Sequence, residues 1–234
     1  MTQPKYATQD KNGRRLYRDP VTEKRVPSVT TVMGMKAKPL LVPWAAKMSA
    51  EFAVENWEAL SELSREERID RIKSAHKTRA QDAADLGDSI HIYAEAFLKG
   101  EELPEYPADA FDSIANLLAW LDERKPKLIA AEVSMFSEKG YAGTFDALLE
   151  MDGEVWLIDW KTGKGVYPEV GMQLAALHFA DRVLAEEPIE LPKATRFGVV
   201  HIRPEKCELI EFFDLEASYE QFLACLTLYQ GDKK

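Results

Sequence analysis

The sequence predicts a mixed α/β fold in which a helical front precedes a mixed sheet. Up to about residue 126, apolar residues recur mainly at helical spacing, and from Ala130 the period changes to that of strands. The segments AAEVSMFS, AGTFDALLEM and EVWLIDWK then follow one another as three strand patterns. We therefore expect one domain over residues 1–234, with a mainly helical part at 1–126 and a mixed-sheet core at 127–234.

The front of the chain begins with a predicted hairpin. The stretch KYATQDKNGRRLYR turns at Asn12-Gly13, a dipeptide typical of type I′ turns. A short apolar segment, VPSVTTVMG, follows and is closed by Gly34. Helices are predicted over about 40–63, from the capping box Ser64-Arg-Glu-Glu67 onward, over about 78–98 and over 108–124.

The core continues after the three strand patterns, the last two of which are joined at Asp152-Gly153. A helix is predicted over about 168–185, strands near 195–203 and 207–213, and a final helix near 216–230. The order β-β-β-α-β-β-α indicates a mixed sheet covered by helices.

Composition excludes several classes of protein. The 234 residues include two cysteines, Cys207 and Cys225, too few for a disulfide framework or a thiolate metal cluster. No segment approaches the roughly eighteen apolar residues of a membrane span, and the N-terminal stretch lacks an apolar signal region. We expect a cytoplasmic protein without a membrane partner.

Charge is unevenly distributed along the chain. The net charge of −10 argues against a nucleic-acid partner, yet residues 1–79 hold 16 Lys+Arg and 10 Asp+Glu, whereas residues 80–234 hold 14 and 30. Because affinity for phosphate backbones comes largely from Lys and Arg, the N-terminal third is the expected contact surface for DNA.

The stretch VWLIDWKTGK carries a carboxylate and an ammonium in an apolar strand. Asp159 and Lys161 are two residues apart, so they point to the same face. If the strands pair about Asp152-Gly153, residues whose numbers sum to about 305 lie opposite each other, which brings Asp146 to Asp159. The three groups are expected to converge.

Two converging carboxylates repel each other unless a cation lies between them. Oxygen ligands favour Mg²⁺ or Mn²⁺, which polarise a phosphoryl oxygen and lower the pKa of a bound water. Lys161 would then contact the attacking water or the scissile phosphate. The alternative is a strand-end ion pair without function.

Further residues extend this pattern. A helical G-x-x-x-H-x-x-x-E, a strand glutamate, G-x-x-D, D-x-K-T-G and a helical glutamine follow in order, at Gly87, His91, Glu95, Glu132, Gly143, Asp146, Asp159, Lys161, Thr162, Gly163 and Gln173. From Gly87 to Leu177 the chain resembles the PD-(D/E)xK nuclease superfamily, in particular its RecB-like exonuclease branch. PSVTTV also resembles the opening of phage-encoded members.

The resemblance implies a restriction-endonuclease-like core and a set of roles. Asp146, Asp159 and His91 would bind Mg²⁺ or Mn²⁺, and Lys161 would assist the water. Glu132 would organise the site or reach a second metal, and Gln173 would position the lysine or the DNA. Leu177 stands where the family often has tyrosine. Iron-sulfur members need four cysteines, so no such cluster is expected.

The resulting prediction is a metal-dependent DNA exonuclease of phage or bacterial recombination or repair, acting on single strands or DNA ends, with a recombination protein as a possible partner. Two alternatives stay open: a structure-selective endonuclease on the same core, and a non-catalytic, nuclease-like DNA-binding subunit.

Four arginines are predicted to contact DNA. At about 100° per residue, Arg65, Arg68, Arg71 and Arg79 fall within roughly a 120° arc of one helix. Such a helix could form a wall under which a single strand threads by its end. The alternative is a solvated helix whose Ile69 and Ile72 turn part of that arc towards the core.

Overall fold

The structure is a computed structural model that describes residues 4–232. The chain packs as two compact units: residues up to Lys36 together with residues from Ser89 onward, and Ala37–Asp88. The sequence predicted a single nuclease domain over residues 1–234, and this division into two units does not test that prediction. Among the described residues, no helix is long and apolar enough to cross a membrane.

A small antiparallel sheet opens the first unit. Its strands are β1 (Ala7–Gln9), β2 (Arg15–Arg18) and β3 (Arg25–Pro27), in the order β1-β2-β3. The predicted hairpin is confirmed, but the type I′ turn is wrong, because residues 10–14 separate the paired Gln9 and Arg15; Gly13 has a φ of 76° in this longer turn. The apolar segment that follows forms β3 and one short helix, α1 (Val29–Met33), whose N-cap Ser28 accepts a hydrogen bond from the Thr31 N–H.

Three helices follow: α2 (Leu41–Glu55), α3 (Trp57–Ser61) and α4 (Arg65–Lys99). The single helix predicted over 40–63 is wrong, because Asn56 leaves helical geometry and its side chain donates to the Phe52 carbonyl. The capping box at Ser64 is confirmed by reciprocal hydrogen bonds with Glu67. The two helices predicted after it are one, since no helix breaker separates them, and Gly100 follows the last turn at a φ of 68°.

In the described residues after α4, one α-helix precedes the first strand of the main sheet and two more lie between or after its later strands. A 3₁₀ turn (Ala108–Ala110) leads into α5 (Phe111–Arg124). The later elements are β4 (Lys127–Ser137), β5 (Tyr141–Met151), β6 (Glu154–Lys161), α6 (Glu169–His178), β7 (Arg182–Val183), β8 (Arg196–Ile202), β9 (Cys207–Glu211) and α7 (Leu215–Gly231).

These strands form a mixed sheet in the order β7-β4-β5-β6-β8-β9, in which β6 and β8 are parallel and the other neighbours antiparallel. The fold class is therefore α+β with a mixed sheet, as predicted. The helix predicted over 168–185 ends earlier, at His178, because Arg182 and Val183 pair with β4.

The main core lies between the sheet and helices α1, α6 and α7. Fully buried members include Val32, Tyr141, Leu174, Val199 and Phe222. On the other face of β6, Trp160 is buried and its ring meets the edge of Trp120 at 6.4 Å between centroids. Of the two cysteines, Cys225 is buried and Cys207 is partly buried.

Candidate active site

The β5–β6 hairpin brings the two aspartates together. Its turn has Asp152 and Gly153 at φ angles of 54° and 79°, as a type I′ turn requires. Ala147 pairs with Ile158, which is the predicted register, and the ladder between the strands ends at this pair. Beyond it, Asp146 Oδ2 accepts a hydrogen bond of 2.8 Å from the Trp160 N–H. The Asp146 carboxylate thus joins the two strands where their backbones no longer pair.

Asp159 is buried in a set of close polar contacts. The side chain of Gln173, on α6, donates to Asp159 Oδ1 at 2.7 Å, and Lys161 Nζ lies 2.5 Å from Oδ2. Burial raises the pKa of Asp159 to about 6, and the negative charge of Asp146 adds to the rise while Lys161 opposes it. This carboxylate therefore ionises readily only when positive charge is close.

For Lys161, neighbouring charges affect the pKa more than burial does. Burial by itself would lower the pKa of its ammonium, but the charges of Asp159 and Asp146 outweigh burial and raise it. The group consequently remains a cation beside two carboxylates. With 32% of its side chain exposed, it also reaches the space that a substrate could enter.

His91 and Glu132 complete the set. His91 lies on α4 with Nδ1 3.7 Å from Asp146 Oδ2. Glu132 stands in the middle of β4 at a φ of 53°, between the pairs Ala131–Ala147 and Val133–Phe145. Burial raises the pKa of Glu132 to about 7, with further contributions from Asp146 and Glu95. A left-handed residue within a strand costs about 1–3 kcal/mol, and such strain is often found at functional sites.

These side chains line one cavity of about 170 Å³, formed by residues of the first unit alone. It brings together all six predicted members of the catalytic and metal-binding set: His91, Glu132, Asp146, Asp159, Lys161 and Gln173. Of the remaining motif residues, Gly143 also lines it, whereas the carboxylate of Glu95 pairs with Lys99 at 2.5 Å.

Gly143 has a packing reason for being glycine. A Cβ atom at this position would lie 2.8 Å from Val29 Cγ2 and 3.0 Å from Leu177 Cδ2. The absence of a side chain therefore lets α1 and α6 approach β5 beside the cavity. Leu177, which stands at the position where tyrosine was expected, lines the cavity and fills this contact.

The four predicted DNA-binding arginines, Arg65, Arg68, Arg71 and Arg79, belong to the part of α4 within Ala37–Asp88, and all are exposed. Arg79 pairs with Glu55 at 2.9 Å, and Arg68 Nε donates to the Leu63 carbonyl. Ile69, which was expected to turn part of this arc towards the core, is 47% exposed. Ile72 is half-buried, and the exposed arginines fit a solvated helix as well as a DNA contact, so both interpretations stay predictions.

Several residues at the cavity had not been predicted. Arg15, Ser28, Thr30 and Thr144 also line it, and the Tyr17 and Thr144 hydroxyls are 2.8 Å apart. The one sequence signal for them was the PSVTTV segment, which contains Ser28 and Thr30. Arg15 carried no signal of its own, because its approach depends on how the small sheet packs on the large one.

A larger cavity of about 840 Å³ lies elsewhere in the first unit, beside residues 185–194. Its floor includes Phe145, Leu148 and Leu157, and it contains none of the predicted site residues. The predicted site residues are therefore concentrated in the smaller cavity.

The smaller cavity also contains side chains of the types that bind metal ions. Within the described residues, no three His, Cys, Asp or Glu side chains are close enough to hold a metal ion as they stand. The donor chemistry nevertheless suits a hard cation, because the carboxylates of Asp146, Asp159 and Glu132 and the imidazole of His91 line the same cavity. Asp146, Asp159 and His91 thus fit Mg²⁺ or Mn²⁺ if their side chains draw closer.

Comparison with known proteins leaves the family open. No protein family profile and no curated protein matches the chain. One solved structure that matches is described as the crystal structure of SSO0001, with 19% identity and a TM-score of 0.37 over 81% of this chain and 86% of that chain. So low a TM-score does not establish a common fold.

Proposed function

We propose that the chain is a metal-dependent deoxyribonuclease, acting as an exonuclease in the manner of the RecB-like branch it resembles. One observation carries the proposal: Asp146, Asp159 and Lys161 face a single cavity, with His91 3.7 Å from Asp146. A purely structural ion pair needs neither the second aspartate nor the histidine. A binding-only subunit has no use for buried carboxylates that repel phosphate.

In this proposal Asp146, Asp159 and His91 hold Mg²⁺ or Mn²⁺. A cation held by these residues would polarise the scissile phosphate and lower the pKa of a bound water. Water attacks phosphorus in line, the bond to the 3′ oxygen breaks, and the products carry a 5′ phosphate and a 3′ hydroxyl. The proton that the water loses is matched by the one that the leaving oxygen gains.

The protein's own groups position the reactants. Lys161 contacts the attacking water or the scissile phosphate through an ammonium that the two aspartates keep charged. Gln173 holds Asp159 through its bond to Oδ1, leaving Oδ2 turned to the lysine. Glu132, with a pKa of about 7, exchanges a proton near neutral pH or reaches a second cation.

The metal requirement is tested by incubating 5′- and 3′-labelled linear DNA, single- and double-stranded, in EDTA and with Mg²⁺ or Mn²⁺. Cleavage should vanish in chelator and return with either cation, and Asp159→Ala should be inactive throughout. Cleavage that persists in chelator would contradict the mechanism. DNA binding without cleavage under every condition would favour the non-catalytic subunit.

A circular substrate separates the two enzyme alternatives. An exonuclease should degrade a linear single strand and spare the closed circle of the same sequence, whereas an endonuclease cuts both. The same time course gives the polarity. A setting in phage or bacterial recombination or repair, with a recombination protein as partner, is part of the proposal.

A further inference from the structure

The loop that follows Lys161 is held by two side chains, His201 of β8 and Arg203, which comes just after this strand. Arg203 Nη1 donates to the Thr162 carbonyl at 2.9 Å, and His201 Nε2 donates to the Gly163 carbonyl at 2.8 Å. Because a carbonyl oxygen only accepts, Nε2 of His201 carries the hydrogen. His201 is 8% exposed, so this bond is shielded from water.

The anchors of this loop are themselves fixed. Lys161 and His201 are direct neighbours in the parallel β6–β8 pair. Beyond β8, the side-chain amide of Asn116, on α5, donates to the carbonyls of Arg203 and Pro204 at 3.1 and 2.9 Å. A surface loop usually leaves its carbonyls to water. Here the side chains of His201 and Arg203 fix two successive carbonyls of the loop.

This anchoring sets the direction of the N–H groups. In a planar trans peptide the C=O and N–H bonds point in opposite directions. Since the Thr162 and Gly163 carbonyls point to the Arg203 and His201 side chains, the N–H groups of Gly163 and Lys164 point away from these anchors. The loop follows directly after Lys161, which lines the cavity, so both N–H groups lie close to the site in the chain.

These two N–H groups suit an anion. Within the part of the chain that the structure describes, neither donates to a protein acceptor. Successive N–H groups that point one way form a concavity that binds anions, and the exposed Lys164 side chain adds positive charge.

We propose that Thr162–Gly165 is a phosphate-binding loop that contacts a DNA phosphate next to the scissile one, with Arg203 and His201 as its positioning residues. The inference rests on the proposed function in taking DNA as the ligand. Arg203 acts through the loop, since its guanidinium is occupied by the Thr162 carbonyl and lies 3.6 Å from Glu205.

The test replaces single phosphates of a labelled oligonucleotide by neutral methylphosphonate, one position at a time, and measures kcat and KM. In the wild type, one position beside the scissile bond should lose on the order of tenfold in kcat/KM, the effect of a charge-assisted hydrogen bond. In Arg203→Met the same methylphosphonate replacement should lower kcat/KM only slightly, because the loop is no longer held in place.

Matched variants separate positioning from folding. Arg196→Met removes an exposed arginine at the other end of β8 and should keep the full position-dependent loss. His201→Gln retains a donor for the Gly163 carbonyl and should behave as wild type, whereas His201→Leu should behave as Arg203→Met. Equal losses at every position, the same in wild type and Arg203→Met, would overturn the inference.

A binding measurement keeps this test independent of cleavage. Fluorescence anisotropy with Lys161→Ala protein and the same oligonucleotides should show an affinity loss at one position that disappears when Arg203→Met is added. This result would support the loop even if the wild type cleaves no DNA, in which case only the proposed catalysis fails. Affinity that is independent of the position, or an absence of DNA binding, overturns the loop.

Discussion

The surroundings of the cavity and the helices of Ala37–Asp88 stabilise their polar side chains in different ways. Asp159 is 2% exposed and has Gln173 and Lys161 as close partners. Among the described residues of Ala37–Asp88, by contrast, the buried apolar side chains are Leu60 and Ala75. Side chains at the cavity are held by tertiary packing, whereas the arginines of α4 lie on a helix supported mainly by local capping. A change at the cavity should therefore have large, specific effects.

The same two regions differ in charge. Residues 1–36 hold eight Lys+Arg and three Asp+Glu, whereas residues 37–88 hold eight and ten. The positive excess of the N-terminal third thus belongs to the segment of the small sheet and α1. Arg15 of that segment also lines the cavity. Within the N-terminal third, we therefore expect the small sheet, rather than residues 37–79, to make most of the contacts with DNA.

The largest expected effect is on catalysis. Lys161→Ala should lower kcat by roughly 10²–10⁴-fold, as loss of a positioned proton-transfer or charge-stabilising group does, while the circular dichroism spectrum and DNA affinity are kept. Arg65→Glu with Arg68→Glu should only slow a linear substrate a few-fold. Lys127→Ala, which removes a surface partner of Glu150, is the matched control. Near-normal turnover in Lys161→Ala would leave the structural ion pair as the explanation.

The next effect is on stability. Gly143→Ala inserts a Cβ atom 2.8 Å from Val29 Cγ2, which should lower the free energy of unfolding in urea. Overpacking of this kind costs roughly 1–3 kcal/mol. Ile69→Ala, at a 47% exposed position of α4, should change it by no more than about 0.5 kcal/mol. If both variants lose the same stability, the contrast between the two regions is wrong.

The pH dependence of stability should also originate at the cavity. The pKa of Asp159 rises from 3.8 unfolded to about 6 folded, so its stabilising effect is complete below the lower value and lost as pH rises through the upper one. Metal-free protein should therefore lose stability between about pH 4 and pH 6, on the order of 1.4 kcal/mol per unit of pKa difference. In Asp159→Asn the loss of melting temperature across this range should become smaller, and the loss that remains should come from Glu132, whose pKa is raised from 4.5 to about 7.

The smallest effects concern electrostatic binding. Affinity for DNA should fall steeply with added salt, with a slope of about −0.7 to −0.9 per phosphate contacted. Reversing Arg14 and Arg15 should weaken binding more than reversing Arg65 and Arg68, and reversing Lys193 or Lys206 should matter least. Equal losses from all three pairs, measured at one salt concentration, would contradict this map.

Much of the site was predictable because it depends on local rules. The Asp152-Gly153 turn sets the hairpin register, and strand alternation then turns Asp146 and Asp159 to one face. Placing His91, Glu132 and Gln173 needed the resemblance, since each stands on a different element. That all six line one cavity agrees with both arguments.

Other features had no local signal. The parallel β6–β8 pairing puts His201 beside Lys161, and no residue pattern in either strand predicts that the two strands pair. The left-handed Glu132 sits in an ordinary strand sequence, and its conformation is imposed by the surrounding sheet. The early end of α6 depends on β7 pairing with β4, another contact distant in sequence.

Strand β6 pairs antiparallel with β5 and parallel with β8, and these two pairings should form at different stages of folding. The β5–β6 hairpin closes through a two-residue turn and can form within roughly 1–10 μs. β8 begins at Arg196, so the hold on Thr162 and Gly163 requires closure of the long crossover through α6. We expect the aspartates to meet early in folding and the loop beside Lys161 to be fixed late. Replacing His201 or Arg203 should then mainly accelerate unfolding, with little effect on the refolding rate.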